Sequence, residues 1–347
     1  MQCYYFLRLS GYLRSKKLIL RLNLTGMLVH RNIQELPFFE RAVITIGAFD
    51  GVHYGHRQIF HQLKEESARC GGESVIITFE PHPRQILSPE SKAPKTLTTL
   101  EEKIYLLKEQ QIDHLVIVPF TRPFSEISAT AYISDFLVRK FHPHIIITGY
   151  DHRFGHNREG DICLLRDMEG KYDFHVMEIP PQILHDITVS STKIRKHIET
   201  GEVKLANELL GYPYFVSGEV IHGDQRGREL GFPTANIRLH DRNKLIPAEG
   251  VYASKVTVPS PVSLKDKYFV KTFNGAANIG KLPTFGGKDL RIEVNIFDFD
   301  ENIYGKEIQL SFYDFIRPDK KFDTPRELQR AISEDVREIK ERLRCQS

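Results

Sequence analysis

Between residues 40 and 210, short apolar runs alternate with longer stretches whose apolar positions recur every three or four residues. The runs cover 43–46, 75–79, 115–118, 145–148 and 174–179; residues 56–69, 98–111, 128–141 and 160–168 read as helices between them. Runs of largely apolar character separated by helices predict a mostly parallel sheet covered on both faces. Beyond residue 212 the pattern changes. Residues 214–221, 250–258, 268–273, 291–297 and 307–315 alternate or are rich in β-formers, with Gly, Pro, Asn and Asp turns between them. That predicts an antiparallel barrel or sandwich. A helix closes the pattern: Thr324-Pro325-Arg326-Glu327 is a capping box with proline at the first helical position, and Leu328, Ile332, Val336, Ile339 and Leu343 form one stripe. The change at Gly211-Tyr212-Pro213 divides the chain into an α/β domain, 27–211, and an all-β domain, 212–347.

Composition narrows the class. At 347 residues, 41% hydrophobic and 27% charged, the chain is that of a globular protein large enough for two cores. No apolar stretch approaches the roughly 20 residues of a membrane span. Cys3, Cys70, Cys163 and Cys345 are scattered without a CxxC pair, which fits a reducing compartment and predicts a cytoplasmic protein with no disulfide framework. The formal charge is +3, but Arg8, Arg14, Lys16, Lys17 and Arg21 stand in an acid-free opening segment, so the remainder is −2. A near-neutral body argues against a nucleic-acid partner. The first 26 residues read as an extension upstream of a start at Met27, or as a presequence.

In a covered parallel sheet, ligands bind beyond the carboxyl ends of the strands. Here the first run leads into GAFDGVHYGH (47–56), the second into FEPHPR (79–84) and the fourth into TGYDHRFG (148–155), so Gly, His, Asp and Arg gather at one edge. The first stretch is neither a Walker A loop nor a GxGxxG fingerprint. Its glycines, Gly47, Gly51 and Gly55, would let backbone approach a phosphate, and a helix starting near His56 would aim N–H groups at an anion. His53 and His56, one turn apart, would face the same anion and stabilise charge developing on phosphorus. With no cysteine or third histidine at ligand spacing, a metal site is the weaker reading. In the second half, HGDQRGRELGFPTANI (222–237) admits two readings. One is a loop of turn formers feeding a strand. The other has Gly223, Gly227 and Gly231 admitting phosphates while Thr234 and Asn236 offer oxygens to Mg²⁺.

The string GxFDGVHxGH resembles the HxGH signature of nucleotidyltransferases, and more specifically the amino-terminal module of bacterial bifunctional riboflavin kinase/FAD synthetases. FEPHP (79–83), TGYDHRFG and SSTKIR (190–195) match that family's further motifs in order and spacing. GFPTAN (231–236), GVYA (250–253), NIGKLPTFGG (278–287), IEVNIFDFDENIYG (292–305) and FIRPDKKFD (315–323) resemble its riboflavin kinase module. The resemblance spans nearly all of 27–347 and implies a Rossmann-like nucleotidyltransferase domain followed by a kinase β-barrel.

It further implies two ATP-dependent reactions: riboflavin to FMN in the second module, then FMN to FAD with loss of pyrophosphate in the first. By carry-over, His53 and His56 hold the ATP phosphates and the transition state, with Gly47, Phe49, Asp50 and Gly55 also at the nucleotide. Ser191, Thr192 and Arg195 close on the pyrophosphate side, and Asp151 binds nucleotide or positions the flavin phosphate. In the kinase, Gly223 and Gly227 lie at ATP, Thr234 and Asn236 hold Mg²⁺, and Glu293 aligns the attacking ribityl hydroxyl. Pattern alone would make Glu293 part of a solvated strand face; the match to the family's glutamate reverses that preference. His152 departs from the family, which often has Phe there. Three alternatives share some of these motifs: a chain with one working module, a nucleotidyltransferase for another small molecule, and a flavin-binding regulator without turnover. No membrane partner is expected.

Overall fold

All five apolar runs of the first half are strands, and all five are parallel. In the computed structural model, which describes residues 26–88, 93–149, 152–179, 189–223, 227, 231–259, 270–281 and 290–344, they are joined by a short strand ahead of them. The six are β1 (Leu28–His30), β2 (Ala42–Ile46), β3 (Ser74–Glu80), β4 (His114–Pro119), β5 (Pro143–Gly149) and β6 (His175–Ile179), in the order β1-β4-β3-β2-β5-β6. Residues 1–25 and Asp151 lie outside the described residues.

The chain packs as two compact units that do not follow chain order. One holds the described residues of Met1–Ala48, Ile59–Leu87 and Ile104–Pro181; the other holds Phe49–Gln58 and those of Ser88–Lys103 and Gln182–Ser347. The first unit contains the sheet. Its central strand β2 is buried at every position and lies between β3 and β5, both parallel to it. From β2 the chain builds outward through β3 and β4 on one side and through β5 and β6 on the other. β2 is therefore the switch point, the place where open parallel sheets present a ligand crevice at their carboxyl ends. Ile44, Ile46, Val75, Ile77, Val116 and Ile146 form its core with Phe39, Phe141 and Phe174.

The second unit contains the barrel: β7 (Phe215–Ile221), β8 (Ala235–Leu239), β9 (Gly250–Pro259), β10 (Val270–Lys281), β11 (Leu290–Ile296) and β12 (Glu307–Arg317), closed in the order β10-β11-β8-β7-β12-β9. Closure leaves no free sheet edge. Val216, Val220, Ile237, Val256, Ile279, Ile292, Val294 and Leu310 fill the core. Of the expected strand at 268–273, residues 270–273 begin the longer β10 and 268–269 lie outside the described residues; GFPTAN feeds β8, in keeping with the loop-then-strand reading.

The closing helix spans Pro325–Arg344. Thr324 Oγ1 accepts from Glu327 N at 3.3 Å as a cap should, while the Glu327 carboxylate reaches Asp323 N, also at 3.3 Å. Ile339 and Leu343 pack on Val251, Ala253 and Phe297, outside the barrel interior. Arg317 and Asp335 fix this seat with a two-pronged ion pair, Nε to Oδ1 at 2.9 Å and Nη2 to Oδ2 at 2.8 Å.

Candidate functional site

The chain leaves β2 at Gly47, whose N–H is held by Ile77 O at 3.0 Å, and then turns sharply. Phe49, Gly51 and Val52 all take positive φ, at 45°, 82° and 39°. Such backbone is strained for Phe and above all for β-branched Val, so it persists only where its surroundings over-determine it. Those surroundings are visible. The buried Asp50 carboxylate accepts from Leu97 N at 2.9 Å, from Thr98 N at 3.0 Å and from Thr98 Oγ1 at 3.2 Å. It also pairs with Arg195, whose Nε donates to Lys95 O at 2.8 Å. Ser191 Oγ donates to Asp50 O at 3.0 Å and Tyr212 OH to Gly51 O at 2.6 Å. A methyl group on Gly51 would lie 2.7 Å from Leu97 Cδ1, so steric contact and dihedral angle both require glycine.

Beyond the turn, the helix Tyr54–Cys70 begins two residues earlier than the sequence suggested, because His53 caps it. Its Nδ1 accepts from His56 N at 3.4 Å, which assigns the ring proton of a neutral His53 to Nε2. The rings of His53 and His56 stack with centroids 3.6 Å apart and planes 17° from parallel, and Phe49 stands edge-on to His56 at 5.2 Å. Burial lowers the His53 pKa to about 4; Asp50 opposes this and Arg195 adds to it. Burial also drives His56 well below its ordinary value, helped by His53 and Lys103. At neutral pH both rings are uncharged, so they offer N–H donors rather than cations.

Several expected nucleotide contacts have another partner in this structure. Asp50 and Arg195 face each other, with side chains 3% and 8% exposed, and brace the turn from beneath. Ser191 is tied to the turn's backbone, whereas Thr192 is exposed at the start of the helix Ser191–Glu199. Gly55 is buried in the first turn of its helix. His53, His56, Phe49, Asp50, Ser191 and Arg195 are thus brought together, by contacts that the spacing of their motifs cannot reveal.

The first unit holds an aromatic cluster at the carboxyl ends of its strands: Phe79, Phe120, Phe124, Tyr132, Phe136 and Phe154, in edge, tilted and stacked contacts 5.0–6.0 Å apart. His152 lies beside it, 5.8 Å from Phe154. Sequence pattern gave no sign of this cluster because its members are scattered along residues 79–154 and only Phe79 and Phe154 fall within a motif.

In the barrel, alternation along β11 turns Ile292, Val294 and Ile296 inward and leaves Arg291, Glu293 and Asn295 half-buried on the outer face. Register then builds a row across three strands, Asn236 on β8, Glu293 on β11 and Asn278 on β10. A cavity of about 300 Å³ opens there, lined by Gly227, Thr234, Asn278, Glu293, Arg317 and Asp335 among others. Arg291 pairs with Glu293 at 2.5 Å and donates from Nε to Asn236 Oδ1 at 2.8 Å. Among the described residues Asn278 Oδ1 is buried without a hydrogen-bond partner; the residue opens the NIGKLPTFGG stretch, in which no site role was expected from sequence. Gly223 and Gly227 make room for protein atoms: a methyl group would lie 2.1 Å from Asn236 Nδ2 at the first and 2.4 Å from Phe232 O at the second. Thr234, Asn236 and Glu293 form a hard-oxygen set of the kind Mg²⁺ prefers, with the Asn236 oxygen engaged by Arg291.

The chain matches two family models, FAD synthetase over residues 36–193 and riboflavin kinase over residues 210–343. It is 40% identical over 283 residues to the bifunctional riboflavin kinase/FMN adenylyltransferase of Listeria monocytogenes, covering 81% of this chain and 86% of that one. The protein of the same description from Escherichia coli K12 is 37% identical over 304 residues, 88% of this chain and 93% of its own. Among solved structures, one described as a macrolide-efflux protein from Streptococcus pneumoniae superposes with a TM-score of 0.76 at 29% identity, covering 90% of this chain and 97% of that one.

Proposed function

Because the chain belongs to the bifunctional riboflavin kinase/FMN adenylyltransferase family, and so joins both activities with the FAD synthetase domain amino-terminal and the kinase domain carboxy-terminal, we propose a division of its residues between the two reactions. Residues 27–211 carry adenylyl transfer and 212–347 carry the kinase, in keeping with the two family matches. The observation that carries the reading is the stacked, uncharged His53–His56 pair on a strained turn braced by the side chains of Ser191, Arg195 and Tyr212 and by the backbone N–H groups of Leu97 and Thr98.

In the first reaction of the sequence, the ribityl hydroxyl of riboflavin forms a bond to the γ-phosphorus of ATP and ADP departs. Glu293 orients that hydroxyl and accepts its proton, and Arg291 holds the carboxylate in place. Asn278 Oδ1 supplies an acceptor to the flavin in the same cavity. Thr234 and Asn236 would hold the Mg²⁺ of Mg·ATP, whose charge offsets that of the phosphates.

In the second reaction, a phosphate oxygen of FMN bonds to the α-phosphorus of ATP and pyrophosphate departs. His53 Nε2–H and His56 donate to the phosphate oxygens as negative charge shifts towards the leaving group, and the helix amino terminus adds its N–H groups. Uncharged rings suit this role, since they donate without taking up the proton of an attacking acid. Asp50 and Arg195 act through the turn rather than on the nucleotide. Ser191 and Thr192 flank it, Gly47 and Gly55 let backbone approach, and Asp151 meets nucleotide or flavin phosphate. The dispersed cysteines fit work in the cytoplasm.

A chromatographic time course of the full chain with riboflavin and Mg·ATP tests the assignment. The parent should make FMN and then FAD, His53→Ala should stop at FMN, and Glu293→Ala should make FAD only from supplied FMN. Unchanged FAD formation in His53→Ala would remove the histidines from the reaction; flavin bound and never converted would favour a regulator.

A further inference from the structure

Residues 95–102 come from the part of the chain matched by the FAD synthetase family, yet Lys95, Thr96, Leu97 and Glu102 each bond to residues beyond 190. Thr96 N donates to Asn243 O and Leu245 N to Thr96 O, each at 2.8 Å, and Lys95 O takes Arg195 Nε at 2.8 Å. Lys244 Nζ, from the loop after β8, donates at 2.6 Å both to Leu97 O and to Glu102 Oε2, above the ring of Tyr214 at 4.5 Å. The other oxygen of Glu102 accepts from Ser217 N of β7 at 2.9 Å. Lys244 and Glu102 have side chains only 2% exposed. From the same stretch, Leu97 N and Thr98 N grip the Asp50 carboxylate. A continuous line of hydrogen bonds therefore runs from Ser217 and Lys244 in the barrel half to the strained turn that carries His53. A second grip arrives separately, from Tyr212 OH on Gly51 O.

We infer that the turn carrying adenylyl transfer is held in shape by the kinase half, with Tyr212 and Lys244 acting as positioning residues for FAD formation. The inference rests on the assignment of His53 and His56 to that reaction. Two physical points carry it. A turn with Phe49, Gly51 and Val52 at positive φ relaxes unless it is over-determined, and two of its restraints originate beyond residue 211. A buried ion pair often gives no net stability over apolar residues of like volume, whereas Lys244 and Glu102 also hold Leu97 O and Ser217 N, so the pair is suited to placing the Leu97–Thr98 segment. Neither Tyr212 nor Lys244 lines the cavity at Glu293.

The experiment uses the full-length chain and measures riboflavin-to-FMN and FMN-to-FAD rates separately, for Tyr212→Phe, Lys244→Arg, the paired Lys244→Met/Glu102→Leu and His53→Ala. Loss of the single Tyr212 hydrogen bond should lower kcat for FAD formation about tenfold, with KM for FMN and the kinase rate within twofold of the parent. The paired variant should lose about 100-fold in FAD formation while keeping its kinase rate, and Lys244→Arg, which retains charge and donors, should recover most of that loss. If the paired variant does not fold, Tyr212→Phe, which removes one oxygen atom, decides alone. FAD formation within twofold of the parent in Tyr212→Phe, or both reactions falling in parallel, overturns the inference while His53→Ala still tests the reading beneath it. FAD formed at the parent rate by His53→Ala overturns that reading, and the inference with it.

Discussion

Acidification should weaken this protein through His53. Its imidazole is 6% exposed and protonates near pH 4, against about 6.5 in an unfolded chain. Between those values the unfolded state binds a proton that the folded state refuses, so stability falls as pH drops through 6.5 and levels off below 4. For one group with this shift, the loss on going from pH 7 to pH 5 is about 2 kcal/mol, and about 3 kcal/mol at the plateau. His56, shifted in the same direction, adds to it. Urea unfolding at pH 7 and at pH 5 measures the loss in the parent, and His53→Asn, which keeps a helix cap, removes the titrating ring. The variant should lose less than the parent by about 2 kcal/mol between the two pH values. Equal losses would mean that His53 is protonated in the folded state near its ordinary pH, and the argument for an uncharged donor pair would fail.

Arg195→Met leaves Asp50 buried without its counter-charge. It should cost about 3–5 kcal/mol in urea unfolding, with Asp50→Leu in the same chain recovering part of the loss. Gly51→Ala forces φ 82° on a residue with a Cβ and drives a methyl group into Leu97. A loss of about 2–4 kcal/mol is expected, together with slower FAD formation in the same assay. Ile339→Ala empties a fully buried position under the closing helix and should cost about 2–5 kcal/mol by thermal or urea unfolding, without a change in the His53 titration followed by NMR.

The class of fold was legible in the sequence because burial leaves a local record. A strand covered on both faces is a near-continuous apolar run, as 42–46 is with Thr45 its one polar member, and a strand with one polar face alternates, as Leu290–Ile296 does. Both patterns are written within a few residues, and so is the helix cap at Thr324. The motifs were legible for a similar reason, since a turn that needs glycines and histidines at fixed spacing keeps them adjacent in the chain. β1 escaped notice because three residues are too few for a period to show.

What the sequence did not contain was partnership. Asp50 meets Arg195 across 145 residues and Glu102 meets Lys244 across 142, and nothing in either local pattern distinguishes a carboxylate that braces a turn from one that touches nucleotide. Burial of His53 and His56, which decides their charge, comes from tertiary packing, and so do the nearby charges of Arg195 and Lys103 that lower their pKa values further. Barrel register likewise set Asn278 beside Glu293, and tertiary packing brought the Asn236 amide against Gly223. Periodicity is a property of neighbours along a chain, whereas desolvation and pairing are properties of neighbours in space. The first could be read from the residues in order; the second existed only once the chain had closed.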